Sequence, residues 1–315
     1  MSIKNILDTL DEEVSIIHSS DFDINIKNTT YISNNDDSSL TFENFDKKYK
    51  KVKIIETCVL YIDIRSSTKL NLKHYPETMA KLYSSFIRSM LKGAEHFNGK
   101  VKNIVGDRVM VVFDSENCYT EAVNTAILMN TISQNIINKR FKNNVFTCGI
   151  GIDFGKMMIT KCGTIKYGSE NSSYKSLVWL GRPANIASKL TDSANKPSTN
   201  TTTHGVNVGI HYKNIDEWVW QFNTPEELKN NIVFSYTSPN MRHKDDNFSS
   251  FVATTKNTPN YDSTPPILMT EKVYKGFKAD NPLADSIKNN SWKKKTRKIK
   301  NYTGAVYGGD VIYEW

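Results

Sequence analysis

Two aspartates stand where this chain could do chemistry. Asp63 ends the apolar run Val59-Leu60-Tyr61-Ile62 and is followed by Ile64-Arg65-Ser66-Ser67-Thr68, whose small hydroxyl residues suit a turn. Asp107 follows Gly106 between two short apolar runs, 101–105 and 109–113, the pattern of a β-hairpin. Adjacent strands would bring both carboxylates together, and converging carboxylates repel unless a cation joins them. A Mg²⁺-type ion, which takes few protein carboxylates plus substrate phosphates, suits such a pair. The competing reading makes Asp63 the cap of the next helix and Asp107 a simple turn residue.

The elements that must position these residues read as β-α-β-β-α-β. After the Asp63 strand, Pro76 suits a helix start and Gly99 a helix end. Met79, Leu82, Phe86, Met90, Ala94 and Phe97 form the apolar stripe between them. The Asp107 hairpin follows, then a helix over about 118–139 with Ala122, Val123, Ala126 and Ile127 on its buried face. Two strands are expected at 145–152 and 156–160, separated by Gly155. A further strand around 177–180 stops at Gly181, and 184–190 begins another helix. This is the split order of an α+β, ferredoxin-like sheet with helices on one face. Loops leaving neighbouring strands of such a sheet can present two aspartates side by side.

The 315 residues carry 41 basic and 33 acidic side chains, a net charge of +8 that favours anionic partners without choosing among them. Cys58, Cys118, Cys148 and Cys162 form no CxxC pair, which points to a reducing compartment without structural zinc. The six histidines show no metal-ligand spacing. No apolar run approaches the roughly 18 residues that span a bilayer. Asp8, Asp11, Glu12 and Glu13 occupy the place where a signal peptide would be apolar. A soluble, cytoplasmic protein with no membrane partner is expected.

Four segments are expected. Residues 1–50 combine a polar stretch with an amphipathic helix, its apolar residues Ile3, Ile6, Leu7, Leu10, Val14 and Ile17 needing the domain or a partner chain to dock on. The polar residues 19–48 read mainly as loop. Residues 51–195 hold the catalytic core, and 266–315 return to it. Between them, 196–265 is an insertion rich in Asn, Thr and Ser, a small subdomain or dimer arm. In it Trp218, Trp220 and Phe222 alternate like a half-buried strand, and Thr224-Pro225-Glu226-Glu227 looks like a helix start.

The segments 61–68, 106–113, 149–155 and 181–190 (Gly181-Arg182-Pro183-Ala184-Asn185-Ile186-Ala187-Ser188-Lys189-Leu190) resemble the ordered motifs of class III nucleotidyl cyclases. Ile267-Leu268-Met269-Thr270-Glu271-Lys272-Val273-Tyr274 resembles the family's next strand-helix junction. The resemblance covers most of 54–195 and resumes from about 266. It implies that the ribose 3′-hydroxyl of a nucleoside triphosphate attacks the α-phosphorus and expels pyrophosphate, with two divalent cations, Mn²⁺ or Mg²⁺, assisting. Asp63, Asp107 and the Ile64 carbonyl match the family's metal ligands. The backbone of Ser66, Ser67 and Thr68 matches a phosphate cradle, and Asn185 matches the ribose-orienting asparagine. Lys189 stands where the family has a transition-state arginine, keeping the charge without the bidentate fork. Lys300, in the basic run 288–300, falls where the family's triphosphate-binding lysine lies, before Gly304 and an expected final strand over 311–315. In this family the two halves of each site come from opposite subunits, which implies a homodimer.

The departures from the family pattern concern the base. Purine cyclases carry Lys or Glu where this chain has Asn103, and Asp, Thr or Cys where it has Val178. Together with the run Asp63-Ile64-Arg65-Ser66-Ser67-Thr68, these resemble the pyrimidine cyclases of bacterial anti-phage (Pycsar) signalling. The implied reaction is UTP to 3′,5′-cyclic UMP, a second messenger in anti-phage defence. CTP is the second choice of substrate, because an asparagine amide can serve either pyrimidine. Arg65, donor-only, favours a uracil carbonyl if it points inward. A purine cyclase and an inactive, nucleotide-sensing dimer are the other readings. Ferredoxin-like sheets also bind RNA through stacking aromatics on central strands, and 101–105 offers none, so no nucleic-acid partner is expected.

Overall fold

A computed structural model describes residues 2–141, 146–163, 175–234, 241–261 and 263–314. Val145 and Trp315, the ends of two expected strands, lie outside the described residues. The chain forms two compact units, Met1–Lys196 with Thr264–Trp315, and Pro197–Ser263.

The first unit begins with α1 (Ile3–His18), β1 (Asp23–Thr29), β2 (Tyr49–Ile64), α2 (Ser67–Lys73) and α3 (Pro76–His96). It continues through β3 (Lys100–Val105), β4 (Arg108–Val112), α4 (Cys118–Thr131), α5 (Asn138–Arg140), β5 (Cys148–Gly163), β6 (Lys175–Leu180) and α6 (Arg182–Ser193). The order β2-α3-β3-β4-α4-β5 is the α+β ferredoxin-like split expected from the sequence.

In β2, one set of alternate side chains (Cys58, Leu60, Ile62) packs with Leu82, Phe86 and Met90 of α3 and Ala122 and Ala126 of α4. The other set (Ile55, Val59) packs with Met110, Val112, Met157 and Ala187 on the opposite face. A strand that buries both faces reads as a continuous apolar run rather than an alternation. It follows that α6, which carries Ala187, lies across the sheet from α3 and α4.

The second unit contains β7 (Thr199–Tyr212), β8 (Glu217–Asn223), α7 (Pro225–Asn230), β9 (Ile232–Phe234), β10 (Met241–His243) and β11 (Phe248–Tyr261). Its three-stranded sheet runs β11-β7-β8. The helix start at Thr224 is a full capping box, with Glu227 bonding back to the Thr224 backbone. The first unit then resumes with β12 (Ile267–Thr270), α8 (Glu271–Asp280), α9 (Asp285–Lys288), β13 (Lys293–Lys295) and β14 (Val306–Gly309). Among the described residues its sheet has nine strands, in the path β13-β14-β12-β5-β2-β4-β3 with β1 beside β2 and β6 beside β5.

The structure corrects several expectations. The two strands around Gly155 are one, β5, because Gly155 pairs with Thr57 in the ladder. A Cβ there would stand 2.9 Å from Pro183, so the glycine serves a close approach rather than a break. The 19–48 stretch is mainly loop, but it also contains β1, which pairs in parallel with β2 from Asp23↔Tyr49 to Thr29↔Ile55. Its residues are almost all exposed, so backbone pairing rather than burial makes the strand. Among the described residues the last strand is β14; 311–314 form none, and Val311 and Tyr313 pack against the core shared by β2, α3 and α4 instead. The helix after Asn117 turns to a π-helix over Ile132–Ile137, where Thr131 and Ser133 donate back to the carbonyls of Ile127 and Met129. Helix α1 buries no residue.

Candidate active site

Asp63 sits at the end of β2 opposite Gly149 of β5, and Asp107 occupies the β3–β4 turn, between the paired residues Val105 and Arg108. Gly106 takes φ +62, the left-handed region a glycine enters at little cost, and so closes this tight turn. The strand pairing Ile62↔Val109 then places the turn beside the end of β2. Asp63 does not cap α2, whose N-cap is Ser66 at φ +57.

The two carboxylates face each other with unequal company. Arg108 Nη2 donates to Asp63 Oδ2 at 2.7 Å, and Arg65 Nη2 lies 3.7 Å from the same oxygen. Asp107 Oδ2 is buried and accepts no hydrogen bond among the described residues. Burial first, and then the charge of Asp63, raise the Asp107 pKa; the Ser67 hydroxyl pulls it partly back. A buried, unpartnered carboxylate oxygen beside a second carboxylate is what a small divalent cation would satisfy. The donor set therefore fits the cation pair that the sequence implies, with Ile64 next to Asp63 in the strand.

Arg65 does point inward. Its side chain is only 10% exposed and lies across Gly149, where a Cβ would stand 2.6 Å from Nη2. Burial depresses its pKa, and its Nη1 donates to the Asp192 carbonyl at 3.3 Å. Its neighbours are therefore Asp63 and the end of α6. Ser66, Ser67 and Thr68 form the start of α2.

Helix α6 is fastened directly onto the sheet. Gly151 lets its backbone come so close that a Cβ would fall 2.3 Å from the Ala187 carbonyl oxygen and 2.4 Å from the Thr191 nitrogen. Thr191 Oγ1 donates to the Tyr61 carbonyl, and Asn195 donates to the Cys148 carbonyl. On this helix Asn185 is exposed and Lys189 half-buried, and no described contact joins either of them to Asp63 or Asp107. Lys189 Nζ donates instead to the Lys300 carbonyl at 3.1 Å. Lys300 itself lines a surface cavity of about 750 Å³ with Lys294, Lys298, Tyr302 and Gly304.

On the base side, Asn103 lies exposed on β3 just past a register shift, and Val178 lies on β6 paired with Thr160. Their strand neighbours are the ones that meet: Lys102 Nζ stands 5.5 Å from the Trp179 ring centre.

Sequence reasoning passed over Arg108, Ser188 and Asp192. Arg108 Nη1 donates to Ser188 Oγ at 2.8 Å, and Nη2 also pairs with the Asp192 carboxylate. Burial works against the Arg108 charge, and Asp63 and Asp192 more than offset it, so its pKa rises. The available signals were the position of Arg108 directly after Asp107 and the i, i+4 spacing that puts Ser188 and Asp192 on one helix face.

The chain is similar to known nucleotide cyclases. A uridylate cyclase from Burkholderia cepacia is 29% identical over 222 residues, covering 68% of this chain and 89% of that protein. A cytidylate cyclase from Staphylococcus aureus is 35% identical over 107 residues, covering 31% of this chain and 25% of that protein. The crystal structure of the adenylyl cyclase CyaB from P. aeruginosa overlays 82% of this chain and 95% of its own at 14% identity, with a TM-score of 0.47. Residues 49–216 match the adenylate and guanylate cyclase catalytic domain, and the chain therefore belongs to that family of nucleotidyl cyclases.

Proposed function

We propose that this chain is a pyrimidine nucleotide cyclase that converts UTP to 3′,5′-cyclic UMP and pyrophosphate. The observation that carries the chemistry is the facing pair Asp63 and Asp107, with its bare, buried Asp107 oxygen. The choice of base is supported by the uridylate cyclase likeness, which spans most of both chains. CTP is the second substrate, supported by the shorter cytidylate cyclase match.

In this reading Asp63, Asp107 and the Ile64 carbonyl hold two divalent cations, Mn²⁺ or Mg²⁺. When bound, these lower the pKa of the ribose 3′-hydroxyl and neutralise charge building on the α-phosphate and pyrophosphate oxygens. Ser66, Ser67 and Thr68 serve the phosphate side, and Lys300 the end of the triphosphate. Asn103 and Val178 leave a contact set too small and too apolar for a purine. Asn185 and Lys189 complete the site of a partner copy in a homodimer, in keeping with the absence of any described contact from them to the aspartates of their own chain. The free cysteines suit a reducing cytoplasm. A role as second-messenger synthase in anti-phage defence is what the resemblance to the pyrimidine cyclases of anti-phage signalling implies.

Incubation with each of the four nucleoside triphosphates and Mn²⁺ or Mg²⁺, with products identified by mass spectrometry, tests this. Cyclic UMP is expected as the main product, lost in Asp63→Asn and Asp107→Asn. Cyclic AMP or cyclic GMP as the main product would overturn it. Mixing Asp63→Asn with Asn185→Ala chains should restore part of the activity, because one site of the mixed dimer stays intact.

A further inference from the structure

We infer that Arg108 is a displaceable internal counter-ion of the cation site, holding Asp63 until a divalent ion takes that carboxylate, after which Ser188 and Asp192 of α6 retain the guanidinium. The inference rests on the proposed reading that Asp63 and Asp107 bind divalent cations. Arg108 Nη2 and Arg65 Nη2 both approach the same oxygen of Asp63, at 2.7 and 3.7 Å. A carboxylate oxygen can bind a cation and still accept a hydrogen bond, but a divalent charge at about 2.0–2.6 Å from Oδ2 repels both guanidiniums beside it. The arginine that can move yields.

Arg65 is the one that cannot. It is pinned over Gly149, its side chain is 10% exposed, its buried Nε and Nη2 make no hydrogen bond among the described residues, and Nη1 reaches only the Asp192 backbone carbonyl. Arg108 is 27% exposed and already has two acceptors outside the aspartate pair, Ser188 Oγ and the Asp192 carboxylate. Loss of the Asp63 contact therefore leaves the Arg108 charge compensated rather than orphaned. Both retaining acceptors belong to α6, the helix that also bears Asn185 and Lys189. Cation entry at Asp63 thus transfers Arg108 wholly to the helix that faces the partner copy in the proposed dimer.

Binding of Mn²⁺ to the nucleotide-free, full-length chain, followed by the electron paramagnetic resonance signal of free Mn²⁺, reads this directly. Removing the competitor in Arg108→Gln should tighten binding on the order of tenfold, a factor equal to about 1.4 kcal/mol. Arg108→Lys, which keeps the charge but loses the fork, should fall between. Asp192→Asn should weaken binding in the wild-type background and do much less in Arg108→Gln, because there is then no guanidinium to retain. Unchanged or weaker Mn²⁺ binding in both Arg108 variants overturns the inference, and if Arg108→Gln does not fold, Arg108→Lys alone decides. The two readings fail differently. Mn²⁺ binding that Asp63→Asn abolishes but Arg108 variants leave unmoved sinks only the counter-ion. Absence of any Asp63-dependent Mn²⁺ binding sinks the cation reading and the inference with it.

Discussion

The catalytic unit and the inserted unit are both rich in strands, yet different forces hold them. In the catalytic unit, β2 buries Ile55, Cys58, Val59, Leu60 and Ile62 completely, so apolar burial on two faces fixes its register. In the inserted unit, β8 leaves Trp218 and Trp220 44% and 50% exposed, while Val208 and Ile210 of β7 supply its buried positions. Its open face is an aromatic row, His211 stacked on Trp218 at 4.6 Å and Trp218 on Trp220 at 5.8 Å. Alternating aromatics therefore announce a strand without announcing a core.

The sharpest way to break this contrast is truncation. Phe86→Ala, at a fully buried side chain, should cost about 3–5 kcal/mol in urea denaturation. Trp220→Ala should cost about 1 kcal/mol or less, the scale of a cross-strand pair. Similar losses at the two sites would erase the distinction.

Glycines give the next largest difference. Gly151→Ala drives a methyl into the backbone of α6 and should cost about 1–3 kcal/mol, with loss of cyclase turnover as the helix shifts. Gly209→Ala meets two side chains rather than backbone, the outer edge of the Trp220 ring at 3.0 Å and Ser250 Oγ at 3.2 Å, and should melt close to wild type.

A smaller effect concerns the site itself. The folded-state pKa of Asp107 is raised, so folding loses stability as pH rises through that pKa, and none of this loss remains well below the ordinary carboxylate range. Asp107→Asn should therefore raise the melting temperature modestly at neutral pH without divalent cations, by an amount that shrinks toward acid pH, while abolishing turnover. An equal shift at every pH would remove the electrostatic explanation.

The smallest expected effect is that of removing the inserted unit. Thr264 N donates to the Lys196 carbonyl at 2.9 Å, and Lys196 N to Thr264 Oγ1 at 3.0 Å, so the chain leaves and re-enters the catalytic unit at one point. Replacing residues 197–263 by a short Gly-Ser linker should leave the melting transition of the catalytic unit in place. A large drop would show that the insertion carries part of its stability.

The order β-α-β-β-α-β was legible in the sequence because its cues are local: apolar periodicity along α3 and β2, Pro76 at a helix start, Gly106 at a turn. Asp63 and Asp107 stood out for the same reason, each closing a short apolar run. Tertiary structure alone decided what surrounds them. Arg108 meets Asp63, Ser188 and Asp192 across long stretches of chain, and no periodicity encodes a contact between a turn and a distant helix. Strands β1 and β14 went unread because both are made by pairing with distant partners, β1 with almost no burial and β14 through Gly308 and Gly309 between β12 and β13. Gly155 looked like punctuation in the sequence, and Gly151 like an ordinary position inside a strand. In the fold they are points of contact, where the missing side chain lets α6 come down onto the sheet and bring Asp192 within reach of Arg108.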